Sequence, residues 1–140
     1  MIKKYLYYFA LILIISCNNR FHQRLASVKK QISITRNYIS AEDARDTATL
    51  NKLLAENIKT YWKIENPTKQ KIIKFYKDYW TENKFSKNTI LSITTIAKNT
   101  FAVKTFFEVQ RIKTDTSLHF ESKIIYKFNE ANKIVYVGKE

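Results

Sequence analysis

Glycine, proline and cysteine are almost missing from this chain. Its 140 residues hold one of each, Gly138, Pro67 and Cys17, where average usage would supply about ten glycines and about seven prolines. A phosphate-cradling glycine loop, a dinucleotide fingerprint and a nucleophile elbow all need glycine where the backbone turns sharply or approaches a ligand, so those mechanisms are excluded. One cysteine rules out an intrachain disulfide, and with only His22 and His119 beside it no tetrahedral zinc shell can be assembled. Neither a metal nor a cofactor is expected. Acidic residues are scarce as well: 12 Asp and Glu stand against 25 Lys and Arg, a formal charge of +13. The basic residues are spread along the chain instead of being concentrated beside exposed aromatics, so nucleic acid is not expected as a partner. Solubility, and attraction to anionic headgroups, are the simpler uses of such a charge. The length suits one domain that hides roughly two thirds of its unfolded surface.

Long apolar runs are confined to the N-terminus. Lys3 and Lys4 precede an unbroken apolar run at residues 5–15. As a helix it would span about 16 Å, short of the roughly 30 Å hydrocarbon core, which makes it the apolar part of an export signal and not a membrane span. The next residues, Ile14-Ile15-Ser16-Cys17, resemble the lipobox of bacterial lipoproteins. That resemblance implies cleavage before Cys17, acylation of its sulfur and attachment to the cell envelope; it leaves the inner and the outer membrane open, and a periplasm-facing attachment is the default expectation. Stable anchoring generally takes more than one acyl chain, since each buried methylene contributes about 0.8 kcal/mol. The expected organisation is a signal peptide at 1–16, an anchor and the start of a first helix at 17–27, and one domain at 28–140.

In the remaining chain, Phe21, Leu25, Val28, Ile32 and Ile39 fall on one helical face. Ser40 followed by Asp43 has the pattern of a helix cap, predicting a break at Ser40 and a second helix burying Leu50, Leu53 and Leu54. Residues 58–64 predict a strand with Ile58, Thr60, Trp62 and Ile64 on one face. Pro67 suits the first position of a third helix, with Asn66 or Thr68 as cap and Ile72, Ile73, Tyr76, Tyr79 and Trp80 facing inward. Alternation then predicts strands at 89–97, 100–112, 117–128 and 134–139, joined by turns at Asn99, Asp115, Asn129 and Asn132, the residue types that best replace glycine in left-handed backbone. Gly138 falls in the last strand, where a bend or close approach would explain it.

Helices followed by long antiparallel strands make an α+β pattern. Ala44-Arg45-Asp46 before Leu50, Tyr61-Trp62, Pro67-Thr68 leading to Tyr76 and Trp80, and the ending Tyr126-Lys127-Phe128-Asn129 with Lys133-Ile134-Val135 resemble the NTF2-like superfamily and its SnoaL-like bacterial branch. The resemblance covers residues 28–140 and implies a cone, two to three N-terminal helices packed on a curved antiparallel sheet. A cystatin-like helix-plus-sheet fold with another strand order is the competing arrangement. Cones of this superfamily accept an apolar small molecule, a substrate or a protein partner, and a homodimer is a separate expectation for the chain.

Catalytic members carry acids or histidines among apolar walls, and this sequence departs from them. The polar residues assigned inward are Thr60, Ser92, Thr105, Ser122 and Tyr126, so no catalytic residue carries over and a binding function is favoured. The ligand-binding candidates are Tyr61, Tyr76, Trp80, Phe107, Phe120 and Tyr126, part of an aromatic set that also contains Trp62 and Tyr79 and that can equally serve as core. The enzymatic alternative, an isomerase, dehydratase or hydrolase, rests on His119 and Glu121. They lie two apart on one strand, roughly 7 Å from each other, and assignment to a wet face is the plainer account. Asp43 and Asp46 are expected to be caps and surface charge.

Overall fold

A computed structural model describes the backbone of residues 2–139 and the side chains of residues 22–139. Cys17 and Phe21 lie outside the described side chains. The chain forms two units, residues 1–30 and residues 31–140. The first is helical from Ile2, and Leu25, expected on a buried stripe, is exposed. Among the described residues no helix is long and apolar enough to cross a membrane.

Helix α1 is continuous over Ile2–Asp43, and its turns from Gln31 onward belong to the second unit. The break expected at Ser40 does not occur. Tyr38, Ile39 and Ala41 are all buried around that point, so packing carries the helix past a residue that would otherwise cap. The helix stops at Arg45, whose φ of 57° is left-handed. Arg45 N–H donates to Glu42 O at 3.2 Å and Asp46 N–H to Ala41 O at 2.9 Å, the paired bonds of a Schellman cap made without glycine. The Arg45 guanidinium also donates to Trp80 O, Asn83 O and Lys84 O, so one residue closes α1 and secures the chain at residues 80–84. Asp46 caps α2 (Thr47–Leu53), accepting from Thr49 N–H and hydroxyl, as a surface cap should.

Residues 58–64 fold differently from the expected strand. They form a small hairpin, β1 (Thr60–Tyr61) and β2 (Ile64–Glu65), that turns at Trp62 and buries Tyr61 instead of presenting Trp62 beside Thr60. Helix α3 spans Lys69–Glu82 with Thr68 as its cap, so Pro67 precedes the cap and does not occupy the first helical position. Ile72, Tyr76 and Trp80 are its buried face. Four strands follow: β3 (Asn83–Ala97), β4 (Thr100–Arg111), β5 (Ser117–Phe128) and β6 (Ile134–Lys139). Strand β3 begins directly at the helix end, six residues before the sequence pattern declares it. Asn99, Asp115 and Asn132 take φ of 53°, 47° and 58° in the turns, as expected of glycine substitutes.

The sheet runs β2-β1-β6-β5-β4-β3, antiparallel except for the β1–β6 pair. Register shifts in β3 after Asn83, Ile90 and Thr95 bend it. The one after Ile90 turns Ser92, expected inward, to the side of Lys104, with which it pairs. Phe101, Val103, Thr105, Phe107 and Val109 share the concave face of β4, and pair with Tyr126, Ile124, Ser122, Phe120 and Leu118 of β5. At one end this face is sealed: Phe101, Val103 and Tyr126 are fully buried with Tyr38, Leu50, Leu54, Ile72, Ile134 and Val137. Towards the other end Phe120 and Leu118 remain 44% and 43% exposed, and the cone stays open. On the convex face Gly138 makes room for the Tyr136 ring, since a Cβ there would lie 2.8 Å from the tyrosine oxygen.

Gln31 crosses the sealed end. Its amide nitrogen donates to Asn99 Oδ1 at 3.1 Å and to Asn132 Oδ1 at 2.8 Å, tying two left-handed turns to α1.

Candidate functional site

Between the last turn of α1, helix α3 and the open part of the sheet lies a cavity of about 280 Å³. Helical spacing on α3 supplies Phe75, Tyr76, Tyr79 and Trp80; alternation on the strands supplies Ser86 and Asn88 from β3, Phe107 from β4, and Phe120, Ser122 and Ile124 from β5. Trp62 enters from the β1–β2 turn. Its φ of 54° is costly for an aromatic residue and is held by its N–H bond to Val137 O at 2.6 Å. Both tryptophans of the protein therefore stand on this wall.

Of the six expected ligand-binding residues, Tyr76, Trp80, Phe107 and Phe120 line the cavity. Tyr61 and Tyr126 are fully buried behind it. Tyr38 packs edge-on to Tyr126 at 6.0 Å and donates to Tyr61 at 3.1 Å. Tyr61 in turn donates to Tyr76, and Tyr76 to Glu42 Oε1, so three phenols form a directed chain that ends on a carboxylate. Tyr38 and Tyr76 are also within hydrogen-bond distance of each other, at 3.2 Å.

Glu42 and Asp43 correct the expectation that the cone carries no inward acid. Both line the cavity. Glu42 exposes surface only in part, yet burial lifts its carboxyl to about 8; the Tyr76 hydroxyl pulls the other way and the neighbouring Asp43 charge adds to the rise. Asp43, expected as surface charge, is raised too, mainly by burial, while the Asn88 N–H it accepts at 2.9 Å and the field of Lys87 oppose the shift. Burial first, and then the Glu42 charge, drive Tyr61, Tyr76 and Tyr126 well above their ordinary 10, and burial likewise raises Tyr38. The phenols thus stay neutral donors across the pH range in which Glu42 titrates. Tyr79's hydroxyl is shielded from solvent and is raised by burial, with the Ser86 side chain beside it pulling the other way.

The presumed break at Ser40 concealed Glu42. With α1 continuous, Glu42 stands four residues after the buried Tyr38, on the same face. His119 and Glu121 lie on the other side of the sheet. Ser122, Phe120 and Ile124 face the cavity, so alternation turns His119 and Glu121 to the convex surface, where Glu121 pairs with Lys104 at 2.6 Å and His119 lies by Phe106. Both are exposed, and the acid–base pair proposed from them is not at the cavity. Among the described residues no cluster of metal-ligating side chains occurs.

No family model matches the chain, and no curated protein sequence matches it. Solved structures do. An NTF2-like protein of unknown function from Exiguobacterium sp. 255-15 superposes with a TM-score of 0.66 at 17% identity, covering 76% of this chain and 95% of its own. The fold is an NTF2-like cone. A protein with a ketosteroid isomerase-like fold from Catenulispora acidiphila, solved in complex with trimethylamine, matches with a TM-score of 0.67 at 13% identity, covering 76% and 83% of the two chains. The Δ5-3-ketosteroid isomerase of a Mycobacterium species matches the cone with a TM-score of 0.64 at 12% identity over 78% and 90%. At these identities the likeness concerns the fold alone.

Proposed function

We propose that the protein is a lipid-anchored envelope component whose cone binds a small, largely apolar molecule, with its one polar end against the Glu42–Tyr76 pair. The supporting observation is the cavity: seven aromatic side chains and a few convergent polar groups around about 280 Å³, near the lower end of the roughly 300–1,000 Å³ usual for ligand sites. Small-molecule complexes exist on this fold, since one similar structure holds trimethylamine and another is a designed 17-OHP binder. Because Trp62 and Trp80 both line the cavity, occupancy is readable by their fluorescence. Cyclohexanone and cyclohexanol should each give a saturable change that Ser122→Leu, which intrudes on the cavity, weakens about tenfold or more. A linear response, identical in the variant, would contradict ligand binding.

The anchoring part rests on the Ile14-Ile15-Ser16-Cys17 sequence. Cys17→Ser should abolish incorporation of labelled fatty acid and shift the protein from the membrane to the soluble fraction; retained label would remove lipidation from the proposal.

Proton transfer is a second reading, and its own observation is the Glu42 carboxyl poised at about 8 beside neutral phenol donors. A general base or acid works best near the operating pH. Exchange of the α-protons of cyclohexanone for deuterium, followed by NMR at pD 8, should then be faster with the protein than with Glu42→Gln. Equal rates would leave binding alone.

A further inference from the structure

The cone's polar groups are uneven in sign. In a chain of 25 Lys and Arg against 12 Asp and Glu, two of the few acids stand side by side on the wall of an aromatic cavity. Neither makes an ion pair: Glu42 is held by a phenol and Asp43 by a backbone N–H, and the ion pairs among the described residues involve other acids. Stability alone does not favour such a placement, because a carboxylate withdrawn from water without a cation is costly. The surrounding rings have negative faces, which attract cations and offer nothing to an anion.

We propose that the molecule bound in the cone is a small organic cation, an alkylammonium whose charged nitrogen sits against Glu42 and Asp43 within the wall of Trp62, Phe75 and Trp80. This rests on the small-molecule reading above and names its ligand class. The cavity already borders one cation, since the Lys139 ammonium lies 5.8 Å from the Phe120 ring centroid. A neutral guest would bring no charge partner to the acid pair; an anion would face both carboxyls. A cation replaces the proton that burial keeps on Glu42, and the Tyr79 oxygen stands on the same wall. The basic exterior does not prevent entry, because salt screens its field beyond about 8–10 Å.

The charge state can be followed through every element around Glu42. Asp43 and Tyr38 come from α1, Tyr61 from β1, Tyr76 and Tyr79 from α3, Tyr126 from β5 and Lys139 from β6, while Lys87 of β3 acts on Asp43 and Arg45 and Arg111 act on Tyr79. The tyrosines remain neutral below pH 10, and Glu42, lifted to about 8, changes charge between pH 6 and 8.5. A cation binds the ionised form, so its affinity must rise with pH across that interval and level off above it.

The test is calorimetric titration of the full chain with choline and with its uncharged isostere 3,3-dimethylbutanol at pH 6 and pH 8.5. Choline should bind at least tenfold more tightly at pH 8.5 and should then exceed the isostere by a similar factor. The isostere should show no such gain. Glu42→Gln and Asp43→Asn should each lower choline affinity at pH 8.5 about tenfold, the first also abolishing its pH dependence, while Lys139→Met should raise affinity a few-fold. Circular dichroism melts confirm that the variants fold, and the Lys139 and Asp43 variants decide the matter should Glu42→Gln unfold. An isostere that equals choline at pH 8.5 overturns the cation and leaves the binding cone standing. If choline, the isostere and the cyclohexyl probes all fail to bind, the cone reading itself falls.

Discussion

Tyr76→Phe should lose about 2 kcal/mol of folding stability near neutral pH, and more at pH 9. The hydroxyl it removes accepts from Tyr61 and donates to Glu42. Its loss leaves one buried donor and one buried carboxyl short of a partner, each worth about 1–3 kcal/mol when unsatisfied. The pH dependence follows from Glu42. Its native pKa of about 8 lies above the ordinary 4.5, so the native state binds this proton more tightly than the unfolded chain does. The associated stability is complete below the unfolded pKa and is lost as pH rises towards 8, with a slope of at most about 1.4 kcal/mol per pH unit. Without the Tyr76 donor, which lowers that pKa, the decline should continue above pH 8; in Glu42→Gln this component should vanish. Urea unfolding from pH 5 to 9.5 measures all three proteins. Parallel curves for wild type and Tyr76→Phe would show that the phenol chain does not reach the carboxyl.

A second large effect comes from comparing two phenylalanines on the same face of the sheet. Phe101 is fully buried, edge-on to Phe128 at 5.7 Å, at the sealed end of the cone. Phe120 is 44% exposed at the open end, 5.3 Å from Phe107. Phe101→Ala should cost about 3–5 kcal/mol, since a ring is lost from a site that cannot collapse around the gap. Phe120→Ala should cost about 1 kcal/mol or less, while weakening the uptake of cyclohexanone. Similar losses in thermal and denaturant unfolding for the two variants would mean that the cone is closed at both ends.

The two ends of the cone also differ in how plainly the chain announces them. The strands from Thr100 onward were legible because inward and outward residues alternate, and Asn99, Asp115 and Asn132 marked turns that glycine would ordinarily make. The sealed core, with Phe101, Val103 and Tyr126, followed directly. The cavity did not, because its acids depend on a helix boundary. Ser40 satisfies a capping pattern, but burial on both sides overrides that local preference, and Glu42 and Asp43 follow the helix into the cone. Trp62 was misplaced for a similar reason: Tyr61 takes the inward position and forces the following residue into left-handed backbone. Phe75 is not among the residues expected to face inward on α3; it is 41% exposed and lines the open cavity.

Gln31 gives the sealed end a dynamic character of its own. One side-chain amide holds the β3–β4 turn at Asn99 and the β5–β6 turn at Asn132, although 33 residues separate them in the chain. The two hairpin tips share this clasp on α1, and Phe128 N–H also donates to Asn99 O at 2.9 Å, so the turns are joined through a side-chain amide as well as through the backbone. Fluctuations at that end are therefore concerted across the sheet. At the opposite end the exposed Phe120 and Leu118 pair with Phe107 and Val109, at strand positions remote from both turns, so loosening of the mouth need not open the base.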